Sequence, residues 1–180
     1  QFLKEADWLI ITLGSSFVYK LKETSQFVAN CHKAPAQWFD KYLIPVDEQI
    51  AALDNTIHQL FHYNPKLKII FTISPVRHLR DGVVENNRSK ARLIETVHHL
   101  VNKFERLFYF PAYELVIDVL RDYRFYDIDL AHPNYAATQF VMEKFSDYAF
   151  REPTMLLSKE IRQIVTAKNH KPFHPGSSQH

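Results

Sequence analysis

The segment Asp127-Ile128-Asp129-Leu130-Ala131-His132-Pro133-Asn134 sets two carboxylates a few residues ahead of a histidine. An imidazole held by a carboxylate is the base that serine chemistry requires, because it must take a hydroxyl proton while locked in one tautomer. A D-x-x-H spacing lets both side chains leave a loop on the same side, with Asp129 orienting His132 and Asp127 in reserve. The same spacing also suits a structural role, in which Asp129 caps a turn and His132 packs at a helix start.

Such a base needs a nucleophile. The chain has three glycines, Gly14, Gly82 and Gly176, so it contains neither a G-x-S-x-G elbow nor a glycine-rich phosphate loop. Ser15 and Ser16 follow Gly14. They are candidate nucleophiles, but hydrogen bonding to an oxyanion beside the Gly14 amide, or to substrate, is the favoured role. Ser74 precedes Pro75 and is expected to end a strand or cap a turn. The run from Arg77 to Lys90 is densely charged. It reads either as a solvated surface with ion pairs or as a cleft in which Arg77 and His78 bind an anionic or polar substrate group.

The remaining histidines carry less. His58 and His62 stand one helical turn apart, yet Gln59 occupies the place of a metalloprotease glutamate and a third ligand is lacking, so no metal site is expected. Cys31 and His32 are neighbours, which rarely make a working dyad. His170, His174 and His180 fall in a polar terminus that reads as a solvated tail. No cofactor is expected.

The elements that would position these groups follow from periodicity. Residues 8–14, 68–74 and 107–113 are short apolar runs of the kind found in strands buried on both faces, the last cut short by Pro111. Val46, Ile50, Leu53, Ile57 and Leu60 recur at helical spacing, as do Leu93, Val97, Leu100 and Phe104. A short helix is expected over 112–120 and a longer one from Asn134 to Phe150, with Asn134 as its cap. Strands alternating with helices predict parallel pairing through right-handed crossovers, hence a three-layer α/β/α sandwich. In such a sheet, ligands sit at the carboxyl ends of the strands, where Gly14 to Ser16, Ser74 to His78 and Asp127 to His132 all fall. Residues 15–45 read as a long irregular or partly helical connection. Residues 1–152 form the expected domain, and 153–180 a C-terminal helix with a polar tail.

Composition sets the outer bounds. With 180 residues, 46% of them hydrophobic, the chain can bury one sizeable core. A net charge of +2 with both signs interspersed argues against a nucleic-acid surface. A single cysteine requires no oxidising compartment, and there is no 18-residue apolar run, so a cytoplasmic setting without membrane contact is the default expectation. The chain starts at Gln1 and is expected to be part of something longer.

Four segments, LIITLGSSFVYKLKET, VANCHKAPAQWF, IIFTISPVRHLRDGVVENNRSKARL and YFPAYELVIDVLRDYRFYDIDLAHPN, resemble in colinear order the GSCFA-domain family, a group similar to the SGNH/GDSL hydrolases. The similarity spans about residues 3 to 150. It implies a flavodoxin-like α/β/α fold with ester-bond activity, in which Asp129 and His132 match the aspartate and histidine of the hydrolases' last sequence block. Gly14 and Ser15 fall near the block that supplies an oxyanion glycine and asparagine, and the asparagine is absent. The Gly-Ser-Cys-Phe-Ala motif that names the family is absent too, which places the nucleophile upstream of Gln1. In the implied strand order 2-1-3-4-5, loss of the first strands would leave residues 8–14 with an unpaired edge and a tendency to self-associate.

The sequence thus predicts the C-terminal part of an SGNH-like esterase acting on a small-molecule or carbohydrate ester. Its rival is a non-catalytic binding domain that keeps the fold. An exposed His132 ring facing the carboxyl end of the strand at 8–14 favours the first, and a buried ring satisfied by backbone carbonyls the second.

Overall fold

The computed structural model describes residues 1–28 and 33–169. Cys31, His32 and the three tail histidines lie outside the described residues. The chain divides into two units, residues 1–138 and 139–180.

The first unit is built on a parallel sheet of β1 (Trp8–Leu13), β5 (Lys68–Ile73) and β6 (Leu107–Phe110), in the order β1-β5-β6. Trp8 to Leu13 pair in register with Lys68 to Ile73, and Ile69 to Thr72 with Leu107 to Phe110. The crossovers are α2 (Val46–Tyr63) and α3 (Val83–Lys103), preceded by the single turn α1 (Phe2–Glu5). After β6 come α4 (Ala112–Glu114) and a π-helical stretch, Leu115–Leu120. The result is the expected α/β sandwich with a parallel sheet flanked by helices.

The core forms where two periodicities meet. Alternate strand residues Ile69, Phe71 and Leu107 are buried against Ile57 of α2 and Val97 and Leu100 of α3, with Leu9, Ile11 and Leu13 of β1 packed alongside. Asp47 and Glu48 in the first turn of α2 complement its helix dipole. Gly82 precedes α3 at φ 90°, ψ 162°, a backbone region that only glycine enters without strain.

Two expectations are corrected. Residues 8–13 are not buried on both faces: Trp8, Ile10 and Thr12 are exposed, alternating with half-buried Leu9, Ile11 and Leu13. The cause is position, since β1 is an edge strand whose outer side has no strand partner among the described residues. Nor is the described part of 15–45 only an irregular or partly helical connection, although Ala36–Trp38 is a 3-10 turn. It carries a second, antiparallel sheet of β2 (Phe17–Leu21), β3 (Phe27–Val28) and β4 (Phe39–Leu43), in the order β3-β2-β4. Aromatic residues drive it: Tyr19 meets Phe39 edge-on across the pair, Phe27 stacks on Tyr42 at 6.1 Å, and the Lys41 ammonium lies 4.5 Å from the Phe17 ring centre.

The second sheet is tied to α3 by polar contacts. Arg92 donates to the carbonyls of Leu43 and Ile44 at 2.7 and 2.8 Å, and Lys41 pairs with Asp81. Ser16 is buried in this seam, its amide donating to Ser89 Oγ at 2.7 Å and its hydroxyl to the Ser89 carbonyl at 2.8 Å and Gln49 Oε1 at 3.2 Å.

The second unit holds α5 from residue 139 onward and α6; α5 spans Tyr135–Ala149 and α6 Glu152–Asn169. The start of α5 obeys the capping expectation, with Asn134 Oδ1 accepting from the Ala137 amide at 3.2 Å.

Phe71 is fully buried at the centre of the core. Phe71→Ala is expected to lower unfolding free energy by about 3–5 kcal/mol in urea titrations, whereas Ile10→Thr on the open face of β1 should change it by less than about 1 kcal/mol.

Candidate active site

The Asp129–His132 pair sits on a loop closed by its own backbone. The Asp127 amide donates to the His132 carbonyl at 2.8 Å, and the Leu130 amide to the Asp127 carbonyl at 2.9 Å. Leu130 adopts φ 54°, a left-handed conformation that turns the chain back. Tyr126 and Pro133 form a bridge at the mouth of the loop.

Asp129 makes both contacts that the spacing permits. Its Oδ1 accepts from the amides of Ala131 and His132 at 2.9 and 3.0 Å, and its Oδ2 lies 2.6 Å from His132 Nδ1. The turn-closing contacts and the contact to the imidazole therefore coexist, one on each carboxylate oxygen. The two backbone amides, with the imidazole next, hold the Asp129 carboxyl down at about 2. An ionised Asp129 accepts a hydrogen bond from Nδ1–H and leaves Nε2 as the lone-pair nitrogen, on the side of the ring away from the carboxylate. The His132 side chain is 60% exposed, so that nitrogen is open to a reactant.

The other two clusters reach this loop through a relay of contacts at the carboxyl ends of the strands. The Arg77 amide donates to the Ala131 carbonyl at 3.0 Å, joining the loop after β5 to the Asp129–His132 loop. The neighbouring His78 is held by its amide, which donates to Asn86 Oδ1 at 2.9 Å. Its ring lies against Gly14, where an added methyl would meet Nε2 at 3.6 Å. Desolvation and then the Lys90 ammonium hold the His78 imidazole below its ordinary range.

Sequence reasoning missed the residue at the centre of this arrangement. Lys90, read as one charge in a dense run, is 1% exposed. Its Nζ donates at 2.6 Å to the Gly14 carbonyl at the end of β1 and at 2.6 Å to the Ser74 carbonyl at the end of β5, and it lies 5.9 Å from the Tyr113 ring centre. Burial lowers its pKa to about 8. A signal was available: Asn86, Ser89, Lys90, Leu93, Val97 and Leu100 share one helical stripe, so Lys90 continues the core-facing side of α3.

The Gly14 carbonyl faces Lys90. In a planar trans peptide the following N–H points the opposite way, so the Ser15 amide is directed away from the ammonium. The Ser15 hydroxyl lies 3.2 Å from Ser89 Oγ and accepts from the Phe17 amide at 3.0 Å. Ser74 Oγ accepts from the Val76 amide at 3.2 Å, the expected turn role. Ser16, weighed as a substrate contact, is buried and bonded to Ser89 and Gln49. Its hydroxyl faces the protein interior because Ser89 and Gln49 supply acceptors there. Asp127 is exposed and holds the loop through its backbone.

Fold and site together define an α/β sandwich that carries an aspartate–histidine pair beside the carboxyl ends of a parallel sheet. The model of the GSCFA family matches residues 1–145, and the chain belongs to that family. Neither the curated proteins nor the solved structures contain a match.

Two outcomes test this geometry. Asp129 is depressed from 3.8 to about 2, so its contribution to stability is present above pH 3.8 and lost as pH falls through about 2. Carbon-detected NMR titration should place its midpoint near 2. His132→Ala should leave that midpoint well below 3.8, because the backbone amides remain. For Lys90, the folded protein favours the neutral amine. The cost of burying the cation is fully present below pH about 8 and is relieved as pH rises toward 10.5. Lys90→Met should remove that rise in stability and, by stranding two carbonyls, lower unfolding free energy at pH 7 by about 1–3 kcal/mol.

Proposed function

We propose that this chain is part of an SGNH-type serine hydrolase acting on ester bonds, of the acyl or carbohydrate esterase class. The observation that carries the reading is the exposed His132 ring tied through Nδ1 to an ionised Asp129 at 2.6 Å. An exposed imidazole held at Nδ1 by an ionised carboxylate is the arrangement a general base requires.

In this reading His132 Nε2 takes the proton of a serine hydroxyl as that oxygen attacks the ester carbonyl, and delivers it to the leaving alkoxide when the acyl–oxygen bond breaks. Asp129 stabilises the imidazolium formed between these steps. The Gly14 and Ser15 amides stabilise the oxyanion, and the Ser15 N–H points away from the Lys90 ammonium. Arg77 and His78 contact substrate. The hydroxyls of Ser15, Ser16 and Ser74 are engaged as described, so the nucleophile is assigned to the serine of the motif that names the family, carried on a longer form of the chain.

Those same engaged hydroxyls favour a second reading, a binding domain that retains the hydrolase fold without turnover. Fluorophosphonate labelling with mass-spectrometric mapping separates the two. A form extended to include the family motif should carry an adduct on its serine, and His132→Ala should reduce the labelling rate by about 100-fold or more. Asp129→Asn should slow labelling less severely. An extended form that stays unlabelled, or is labelled equally in His132→Ala, would overturn the esterase reading.

A further inference from the structure

Beside the Asp129–His132 loop lies a cavity of about 210 Å³ whose wall includes Arg77, Val116, Arg121, Asp122, Tyr123 and Tyr126. Its chemistry is unusual for a structural void. Arg77 reaches it beside two neighbouring aromatic rings, with its guanidinium carbon 4.6 Å from the Tyr126 ring centre and 5.0 Å from that of Tyr123. These ring contacts and a hydrogen bond to Tyr123 hold the guanidinium in place, and with five N–H donors it keeps others for a ligand.

Arg121 also lines the cavity. It ends the π-helical stretch, donating its amide to the Val116 carbonyl at 3.2 Å, and adopts φ 47°, ψ 30°. A left-handed arginine after a π-helix is a costly way to end a helix, and such irregularities recur at ligand sites. The carboxylate in the wall does not neutralise either cation. Asp122 accepts from the Arg124 amide and side chain, both at 2.8 Å. Among the described residues, neither Arg77 nor Arg121 makes an ion pair.

We propose that this cavity is a subsite for an oxyanion group, a carboxylate or a phosphate, on the molecule whose ester bond is presented to His132. The identification of that molecule as an ester rests on the hydrolase reading above; the anion site itself rests on the cavity. Two arginines lining a space this size suit the planar, bidentate demand of a carboxylate or phosphate edge. Placement links the subsite to the reaction, because Arg77 bonds through its own amide to Ala131, one residue before His132.

The test is an NMR titration of the whole chain with sodium acetate and, separately, inorganic phosphate, each against sodium chloride at matched ionic strength, following the Arg77 Nε–H and Tyr123 signals. A saturable shift is expected with at least one of the two anions. The anion that saturates at the lower concentration identifies the group as carboxylate or phosphate. Arg121→Gln, at an exposed position, should weaken binding by about tenfold without changing the fold, and Arg77→Lys should weaken it also by losing the planar fork. His132→Ala should leave the titration unchanged, so failure of the esterase reading and failure of this one are separately visible. The absence of a saturable shift with either anion, or equal binding by Arg121→Gln, would overturn the proposal.

Discussion

One buried ammonium organises the functional edge of this protein. Lys90 joins the last carbonyls of two neighbouring parallel strands, Gly14 after β1 and Ser74 after β5, and in doing so fixes where both loops leave the sheet. Taking a lysine out of water is expensive, and the depressed Lys90 pKa records that expense. Two carbonyl dipoles and the face of Tyr113 offset it. The same contact orients the Gly14–Ser15 peptide and places a cation near His78. A single side chain thus sets backbone direction and local charge together.

The helix that carries Lys90 serves two environments along one stripe. Near its start, Asn86, Ser89 and Lys90 bond the loops at the carboxyl ends of the strands; further on, Leu93, Val97 and Leu100 enter the apolar core. Because α3 returns antiparallel to the strands, its first turns necessarily lie at the end of the sheet where ligands bind. Ser89 also anchors the small antiparallel sheet through Ser16, so the second sheet is positioned by polar bonds where the first is positioned by burial. Buried polar groups of this kind tolerate little change, since each removal strands a partner.

Asp129 illustrates why a motif and a fold need not compete for a residue. Its two oxygens have separate tasks: one closes the turn through two amides, the other orients the imidazole. The loop that makes the pair therefore also stabilises its geometry. Reading the spacing as either a cap or a base described half of the side chain.

What the sequence determined by itself is local. Apolar runs at 8–13, 68–73 and 107–110, helical stripes over α2 and α3, the Asn134 cap and the Asp129–His132 spacing all express short-range periodicity and bonding, which neighbouring residues largely settle. Tertiary structure decided the rest. Exposure along β1 depends on its place at the sheet edge, and β2 and β4 become a sheet only when they pair at a distance in sequence, bringing Tyr19 against Phe39. The burial of Lys90 depends on carbonyls 76 and 16 residues away in sequence. No window of the chain contains such a partnership, because the free energy of a buried charge belongs to the dipoles that surround it after folding.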